Sequence, residues 1–288
     1  MKVLVSFENR VRPDSTGVYI VEAFKQLGHD VAHVLPERIS EVHGGFDLYV
    51  KVDDGLRQTQ WNPELHPSAY YCIDTHIESD WRIQLAKDGK FDSVSVVHSD
   101  GLKLDWGRGD VYWNPVGCDP ILHNVGKREK KYDGCFIGNF HNNLAGPRIE
   151  MLDAFFKACP GPIFFGNRTF KDMAEKYAES NLVFNRSING DANMRVFEAM
   201  CSGSCLVTDR VPDLSILGFF DGVHYRGYSN AAELYSITRI LLEHPEDRET
   251  IASNALAAVL KHHTYAHRME MLLHKLNLKT KEKENVYA

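Results

Sequence analysis

A single acid interrupts an apolar stretch in the segment "NMRVFEAMCSGSCLVTD", which spans residues 193–209. Glu198 is flanked by Phe197 and Ala199, and Gly203 follows where the stretch ends. A carboxylate among apolar side chains is unfavourable unless it has a hydrogen-bonding partner. Its two oxygens can accept hydrogen bonds from neighbouring hydroxyl groups, such as those of a ribose. The segment therefore predicts a helix that presents a sugar-binding acid.

The start of the same helix has the features of an anion site. Asn193 can cap the helix that begins at Met194, and Arg195 lies in its first turn. A cation in this place opposes the helix dipole, which makes sense if an anion occupies the N–H groups of the first turn. Glu198 would lie roughly 6–8 Å further along the axis, about the distance from a diphosphate to a ribose. The alternative is a simple ion pair between Arg195 and Glu198, three positions apart.

Two further segments could contribute to binding a phosphorylated substrate. In "GCFIGNF", Gly138 allows a close backbone approach and Asn139 can donate a hydrogen bond. Arg148 follows in the first turn of the next predicted helix and could reach the same anion. Arg186 and Ser187 stand at the end of another predicted strand. The alternatives are an ordinary strand-to-helix turn for the first segment and a solvated loop for the last.

The first half of the chain carries candidates for a general base, all near the ends of predicted strands. Asp74 and His76 are two positions apart in "IDTH", so a strand that continued through them would place both on one face. An imidazole beside a carboxylate is suited to removing a proton from a hydroxyl group. Asp53, Asp54 and His98 are further candidates. The alternative for the pair is a capping Asp and a surface His.

Strands and helices alternate along the chain, which predicts an α/β fold built on parallel sheets. A polar, proline-containing stretch near residues 115–130 interrupts the alternation, which then starts again. We therefore expect two Rossmann-like, doubly wound domains with a cleft between them, and ligands at the carboxyl ends of the strands. The predicted strands lie at 2–7, 30–36, 46–53, 69–76 and 91–99 in the first half, and at 134–140, 161–167, 182–187 and 204–209 in the second.

Composition excludes several other classes of protein. The net charge of −6 over 288 residues argues against a broad electrostatic surface for nucleic acid. No apolar run is long enough to span a bilayer, and the first residues do not resemble a secretion signal. The six cysteines are expected to be reduced and buried, in a cytoplasmic protein. We find no P-loop, no GxGxxG and no HExxH, and no metal site is expected.

The segment around Glu198 resembles the helix–glycine–strand signature of glycosyltransferases with the two-domain GT-B architecture. It is most similar to the branch related to CgeB-like proteins and family 4 glycosyltransferases. "WNPVGCDP", "YDGCFIGNFHNNLAGPR" and the closing "LLEHPEDRETIASNALAAVLKHHTYAHRMEMLL" fit the same family. The resemblance extends over roughly residues 110–275 and is weaker before them.

The resemblance implies a hexosyltransferase-type enzyme that moves a sugar from a nucleotide-diphosphate sugar to an acceptor hydroxyl, without a metal ion or another cofactor. Glu198 would bind the ribose or the donor sugar, and the backbone at 193–195 with Arg195 would hold the diphosphate. Gly138, Asn139 and Arg148 would line the donor pocket. Many family 4 enzymes have a second Glu shortly before this one, where the present chain has only Asp191. The retaining or inverting outcome is therefore open.

The resemblance also implies a domain division. An acceptor domain would span 1–117 and a donor domain 118–263, with a last helix at about 264–278 packing back on the first domain and a charged tail at 279–288. The acceptor could be a glycan, lipid, protein or modified nucleic acid. Two alternatives remain: a nucleotide-sugar epimerase or hydrolase of the same fold, and a noncatalytic module that binds a sugar nucleotide or a glycan.

Overall fold

The computed structural model describes residues 1–57, 60–138 and 146–278, with the side chains of 146 and 147 left out. It divides into two compact units. The first comprises Met1–Pro115 and the chain from Tyr265 onward, and the second comprises Val116–Thr264. The sequence placed the division two residues later, between 117 and 118. The predicted charged tail at 279–288 lies outside the described residues.

The first unit is built on a six-stranded sheet in the order β2-β1-β3-β4-β5-β6. Each neighbouring pair of strands is parallel. Two 3₁₀ segments, Pro36–Glu41 and Ser99–Lys103, follow β2 and β5. The strands and the first two helices are β1 (Lys2–Ser6), α1 (Thr16–Gln26), β2 (Asp30–Val34), β3 (Leu48–Val52), β4 (Ser68–Cys72), α2 (Ser79–Asp88), β5 (Ser93–Val96) and β6 (Tyr112–Trp113).

Burial along these strands follows their place in the sheet. Every residue of β3 and β4 is buried, as expected for central parallel strands with both faces covered. The edge strand β2 has two exposed and three half-buried residues and none that is fully buried. After β2 the chain crosses β1 to continue as β3, so the strand order reverses between β1 and β3. Such a reversal point is where open α/β sheets bind ligands at the carboxyl ends of their strands.

The second unit has a five-stranded parallel sheet in the order β11-β10-β9-β7-β8. Its strand order reverses between β7 and β9. A large apolar core packs α4, α8 and α9 against the sheet, with Phe136, Phe155 and Phe184 at its centre. The elements are α3 (Pro120–His123), β7 (Tyr132–Ile137), α4 (Gly146–Ala158), β8 (Ile163–Gly166), α5 (Phe170–Ala178), β9 (Ser180–Phe184), α6 (Met194–Cys201), β10 (Cys205–Asp209), α7 (Pro212–Ile216), β11 (Arg226–Tyr228), α8 (Ala231–Glu243) and α9 (Pro245–His262).

The last helix, α10 (Tyr265–Lys275), lies in the first unit, where it packs against α1. The rings of Tyr19 and Tyr265 are stacked, with centroids 5.2 Å apart and planes 2° apart. The Asn114 side chain donates a hydrogen bond to the carbonyl oxygen of Arg268, at 3.1 Å. Two distant stretches of chain therefore make up one unit.

Short elements in the proline-containing stretch were not predicted. β6 has two residues and α3 has four, too few for a hydrophobic period to show. Asp119 starts α3, because its carboxylate accepts hydrogen bonds from the backbone N–H groups of Ile121 and Leu122 while Pro120 occupies the first helical position. All six cysteines are free and buried, as the sequence predicted. No described helix has the length and hydropathy needed to cross a membrane.

We expect His123, at the end of α3, to make the protein less stable in acid. Burial lowers the pKa of His123 to about 3, and its Nδ1 accepts a hydrogen bond from the backbone N–H of Asp119. The unfolded chain binds a proton near pH 6.5, so stability is lost as the pH falls below that value toward the folded pKa. Between pH 7.5 and 5 the loss should be about 2 kcal/mol.

Urea unfolding at the two pH values measures this loss. His123→Asn is the matched variant, because its side-chain oxygen can still accept the Asp119 bond but does not titrate. The difference between the two pH profiles isolates His123 from other groups, including His66, whose pKa is raised by its hydrogen bond to Asp92. Equal pH dependence in wild type and variant would contradict the prediction.

Candidate active site

Gly138 and Arg195 meet at the reversal point of the second sheet. Gly138 follows β7 directly, and a Cβ atom added there would lie 2.6 Å from Nη2 of Arg195 and 3.0 Å from the Phe136 ring. The Arg195 guanidinium stacks over that ring at 4.5 Å. The absence of a side chain at Gly138 therefore leaves room for the Arg195 guanidinium. The predicted close approach of a phosphate to Gly138 stays a prediction. Asn139, predicted to share this loop, lies outside the described residues.

Arg195 ties together the ends of two strands. Its Nε and Nη2 donate hydrogen bonds to the carbonyl oxygen of Ile137, at 3.1 and 2.7 Å, and its Nη1 donates to the Asn185 side chain at 2.8 Å. The sequence predicted this arginine as a diphosphate ligand at the helix start. In the structure these three bonds hold the carboxyl ends of β7 and β9 together, and the role of Arg195 as a diphosphate ligand stays a prediction.

Arg148 lies close enough to Arg195 and to Arg186 for the charge of each to act on it. The pKa of Arg148 is lowered, first by burial and then by the charges of Arg195 and Arg186. Asp209 at the end of β10 opposes this effect. Like charges brought together in a partly buried place favour a bound anion. The structure thus gathers three predicted binding residues from three separate segments.

A hydrogen-bonded network supports this group at the ends of β9 to β11. Asp209 accepts hydrogen bonds from the backbone N–H of Ser187, at 2.8 Å, and from the Ser187 hydroxyl. The Tyr228 hydroxyl donates to the Asn185 carbonyl oxygen at 2.8 Å. Burial raises the pKa of Tyr228, Asp209 raises it further, and Arg186 lowers it. Ser187, a predicted binding residue, is therefore held against an acid that the sequence analysis did not select.

The start of α6 differs from the expectation in one detail. Asn193 occupies the capping position, with extended backbone, but its side chain makes no capping hydrogen bond. Its Oδ1 is buried and has no hydrogen-bond partner among the described residues. Met194 is the first helical residue, as predicted. An amide oxygen in this position is a candidate to accept a hydrogen bond from a hydroxyl of a ligand at the helix start.

Glu198 lies in the second turn of α6 with only 6% of its surface exposed. Its charge acts on the Tyr177 hydroxyl on α5, whose pKa is raised chiefly by burial, lowered by Arg195 and raised by Glu198. The acid is therefore inside the second unit, in the same electrostatic neighbourhood as Arg195. Its role as the ribose ligand stays a prediction.

In the first unit, Asp53 fixes the turn that follows β4. Its Oδ2 accepts hydrogen bonds from the backbone N–H groups of Ile73 and Asp74, at 3.2 and 3.3 Å, and from Nε of Arg82 at 2.5 Å. The side chains of Asp53 and Arg82 are 1% and 3% exposed. Asp53 was a candidate base, but these bonds occupy its carboxylate. It acts instead as an anchor for the residues after β4.

Asp54 is likewise part of a buried ion pair. Its carboxylate accepts a hydrogen bond from Nζ of Lys51 at 2.7 Å, and each of the two side chains is 1% exposed. Burial lowers the pKa of Lys51, and the charges of Asp54 and Asp53 oppose that effect. Separating such a pair would leave an uncompensated buried charge. Asp54 therefore stabilises the structure at the carboxyl end of β3 by pairing with Lys51.

Asp74, His76 and His98 come together at the carboxyl edge of β4 and β5. One ligand atom from each lies within 4.8 Å of the others, and the two imidazole rings are 5.1 Å apart. The prediction that Asp74 and His76 share a strand face is wrong, because β4 ends at Cys72. The bonds from Asp53 turn the chain there, and the N–H of Ile77 then bonds to the Asp74 carbonyl oxygen. The turn brings both side chains to His98.

We expect Gly138→Ala to destabilise the second unit by about 1–3 kcal/mol, because the added methyl group overlaps Arg195. Displacing the guanidinium would also break its bonds to β7 and β9. Gly166→Ala is the control, since a Cβ at that neighbouring strand end meets only an atom of Phe164 at 4.0 Å. Denaturant unfolding of both variants measures the effect. A Gly138→Ala protein as stable as Gly166→Ala would contradict it.

Residues 137–274 match the model of a family described as glycosyl transferase-like. A comparison with curated protein sequences finds no match. Several solved structures share the fold. HepE of Anabaena, in complex with UDP and glucose, is 16% identical, aligns over 96% of this chain and 99% of its own, and has a TM-score of 0.69. T4 phage BGT, in complex with UDP-glucose, is 15% identical, aligns over 96% of this chain and 100% of its own, and has a TM-score of 0.59. Sucrose-phosphate synthase of Thermosynechococcus elongatus is 13% identical, aligns over 96% of this chain and 99% of its own, and has a TM-score of 0.67.

The chain has the fold of the GT-B glycosyltransferases, and residues 137–274 match the glycosyl transferase-like family. The match covers most of the second unit and continues into α10, so it includes the three arginines and Glu198. The two parallel sheets account for the alignment with whole chains of the similar structures. The predicted fold class is confirmed, and the family match supports the predicted enzyme class. The CgeB-like branch stays a prediction.

Sequence reasoning missed four residues that organise the two sheet edges: Asn185, Asp209, Lys51 and Arg82. Asn185 and Asp209 stand where β9 and β10 end, and that position was the available signal. Lys51 and Arg82 carried no such signal, because an isolated basic residue in a strand or helix is usually exposed. Their partners Asp53 and Asp54 were noticed, but as bases.

Proposed function

We propose that the protein transfers a sugar from a nucleoside diphosphate sugar to an acceptor hydroxyl. The observation that carries this proposal is the group of three guanidiniums, Arg148, Arg186 and Arg195, at the reversal point of the second sheet. A diphosphate is the anion that such a group, next to a helix start, is suited to bind. HepE and T4 phage BGT were solved with UDP or UDP-glucose, so UDP-sugars are the first donors to test.

In the proposed reaction, the bond between the anomeric carbon and the diphosphate breaks while the acceptor oxygen bonds to that carbon. Negative charge develops on the departing diphosphate, and the guanidiniums stabilise it. This part of the reaction needs no metal ion in our proposal. Glu198 and Asn193 would bind hydroxyl groups of the donor, and Ser187 with Gly138 would shape the diphosphate site.

The acceptor hydroxyl must lose its proton to a base. We propose that His76, with Asp74 beside it, takes this proton in the first unit. Asp53 holds the Asp74 backbone, so the pair is positioned by a buried anchor. A cytoplasmic location, where nucleotide sugars are made, completes the proposal.

Glu198→Gln tests the donor site with little change in shape. We expect the apparent affinity for the donor to fall by about tenfold, because a charged acceptor contributes roughly 1.5–3 kcal/mol to a hydrogen bond and the amide retains part of it. A thermal-shift titration with UDP-sugars measures it, and Glu243→Gln, on the surface of α8, is the control. Glu198→Gln or Glu198→Ala proteins that bind donor as the wild type does would remove Glu198 from the site.

Product analysis separates transfer from the two alternatives. Release of nucleoside diphosphate only when an acceptor is present supports transfer. Release without acceptor supports a hydrolase, and conversion of the sugar without release supports an epimerase. Binding without turnover under any acceptor supports a noncatalytic module.

A further inference from the structure

The cluster of Asp74, His76 and His98 has a second chemical capacity besides proton transfer. Two imidazoles and one carboxylate form a ligand set typical of zinc and of neighbouring divalent transition metals. Mg²⁺ and Ca²⁺ prefer shells of oxygen ligands and would not suit two nitrogens. One donor atom from each residue lies within 4.8 Å of the other two, so the three ligands already face a common small volume.

The backbone that carries the cluster is held from both sides. The Asp53 carboxylate fixes the N–H groups of Ile73 and Asp74. His98 follows β5, which is joined to β4 by parallel pairing and by the Val97 N–H bond to the Cys72 carbonyl oxygen. A metal site requires this kind of prior order in its ligands.

The two ligand-bearing turns also pack directly against each other. A Cβ atom added to Gly101, three residues after His98, would lie 2.9 Å from Oγ1 of Thr75. Thr75 is the residue between Asp74 and His76, so the turn after β5 lies directly beside the turn that carries the other two ligands. His98 is 6% exposed, whereas Asp74 and His76 are half-buried, so solvent reaches part of the cluster.

We propose that Asp74, His76 and His98 bind a single divalent transition-metal ion of the zinc type, and that the ion inhibits sugar transfer. Three protein ligands leave a fourth position for water or another ligand, as in open zinc sites. The bound ion uses the imidazole lone pair that would accept the acceptor's proton. The binding of the ion does not depend on the proposed function. The inhibition does rest on the proposed function, because it requires that the protein transfers a sugar.

Direct binding tests the site without any need for activity. The full chain, treated with chelator and then freed of it, is titrated with Zn²⁺ in competition with a chromophoric chelator. Co²⁺ serves as a spectroscopic probe of the ligands. We expect one ion per chain and a visible Co²⁺ spectrum of imidazole–carboxylate coordination. His98→Ala and Asp74→Asn should each weaken binding by about 100-fold or more, since loss of a ligand exceeds the effect of losing its outer hydrogen-bond partner.

His43→Ala is the matched control, because His43 is exposed in a loop of the same unit. Asp74→Asn preserves the shape of the side chain, and circular dichroism checks that each variant is folded. Wild-type Zn²⁺ affinity in both His98→Ala and Asp74→Asn, or the absence of stoichiometric binding to the wild type, would overturn the site.

Activity forms a separate arm. With Zn²⁺ added at the concentrations that fill the site, transfer should fall in proportion to occupancy and recover when chelator is added. Full activity of the zinc-loaded enzyme would overturn the inhibitory role and leave the binding result standing. If the protein transfers no sugar with any donor, the proposed function fails, and the binding arm still decides the site.

Discussion

His76→Ala is expected to lower kcat by about 100- to 10,000-fold, the usual contribution of a positioned general base. The reason is that the acceptor oxygen must lose its proton as it attacks, and His76 lies next to Asp74 in a turn fixed by Asp53. Initial rates of nucleoside diphosphate release at saturating donor and acceptor measure the loss. Donor affinity should stay unchanged, because the proposed donor residues lie in the second unit.

The control for this variant is His43→Ala, an exposed histidine in the same unit. A small external base such as imidazole, which has the same proton-accepting group as histidine, should restore part of the activity of His76→Ala if proton removal is what was lost. An alanine variant with a kcat close to that of the wild type would exclude His76 as the base and shift attention to His98.

Arg186→Ala is expected to lower kcat/KM for the donor by about 100- to 1,000-fold, as removal of one preorganised donor does in other charge-stabilising sites. Arg186 is chosen because Arg195 already bonds to β7 and β9, so its loss would confound binding with folding. The charge of Arg186 acts on both Arg148 and Tyr228, which places it inside the cluster.

Arg186→Lys separates charge from shape, since lysine retains the charge but not the two-pronged geometry. We expect it to recover part of the loss. Arg128→Ala, which removes an exposed arginine in the linker before β7, is the control for the change in net charge. Steady-state kinetics with varied donor measures all three. A wild-type kcat/KM for Arg186→Ala would place the diphosphate elsewhere.

The sequence predicted the fold well because its main signals are local. Short apolar runs such as "KVLVSF" and "SCLVTD" alternate with segments whose apolar residues recur at helical spacing. Buried parallel strands and the helices that connect them produce this pattern. Strand ends then located Gly138, Arg186 and Asp74 near the edges of the sheets. What failed was the end of β4, because Asp53, about twenty positions earlier, turns the chain there.

The partners of side chains could not be predicted in the same way. Arg195 was expected to face a ligand, and three of its bonds go to β7 and β9. The meeting of His98 with Asp74 and His76 depends on the register of β4 against β5, which is a contact between distant segments. Periodicity and spacing carry no information about such pairs.

The return of α10 to the first unit has a consequence for the order of folding. A ribosome releases the chain from its amino end, so the strands of the first unit emerge long before the helix that covers α1. Until Tyr265 reaches Tyr19, that face of α1 remains bare during synthesis, while the second unit, one unbroken segment, already has all its elements. The amino-terminal half of the molecule is thus the last to be completed, and a chain halted after α9 would expose an aromatic surface to chaperones.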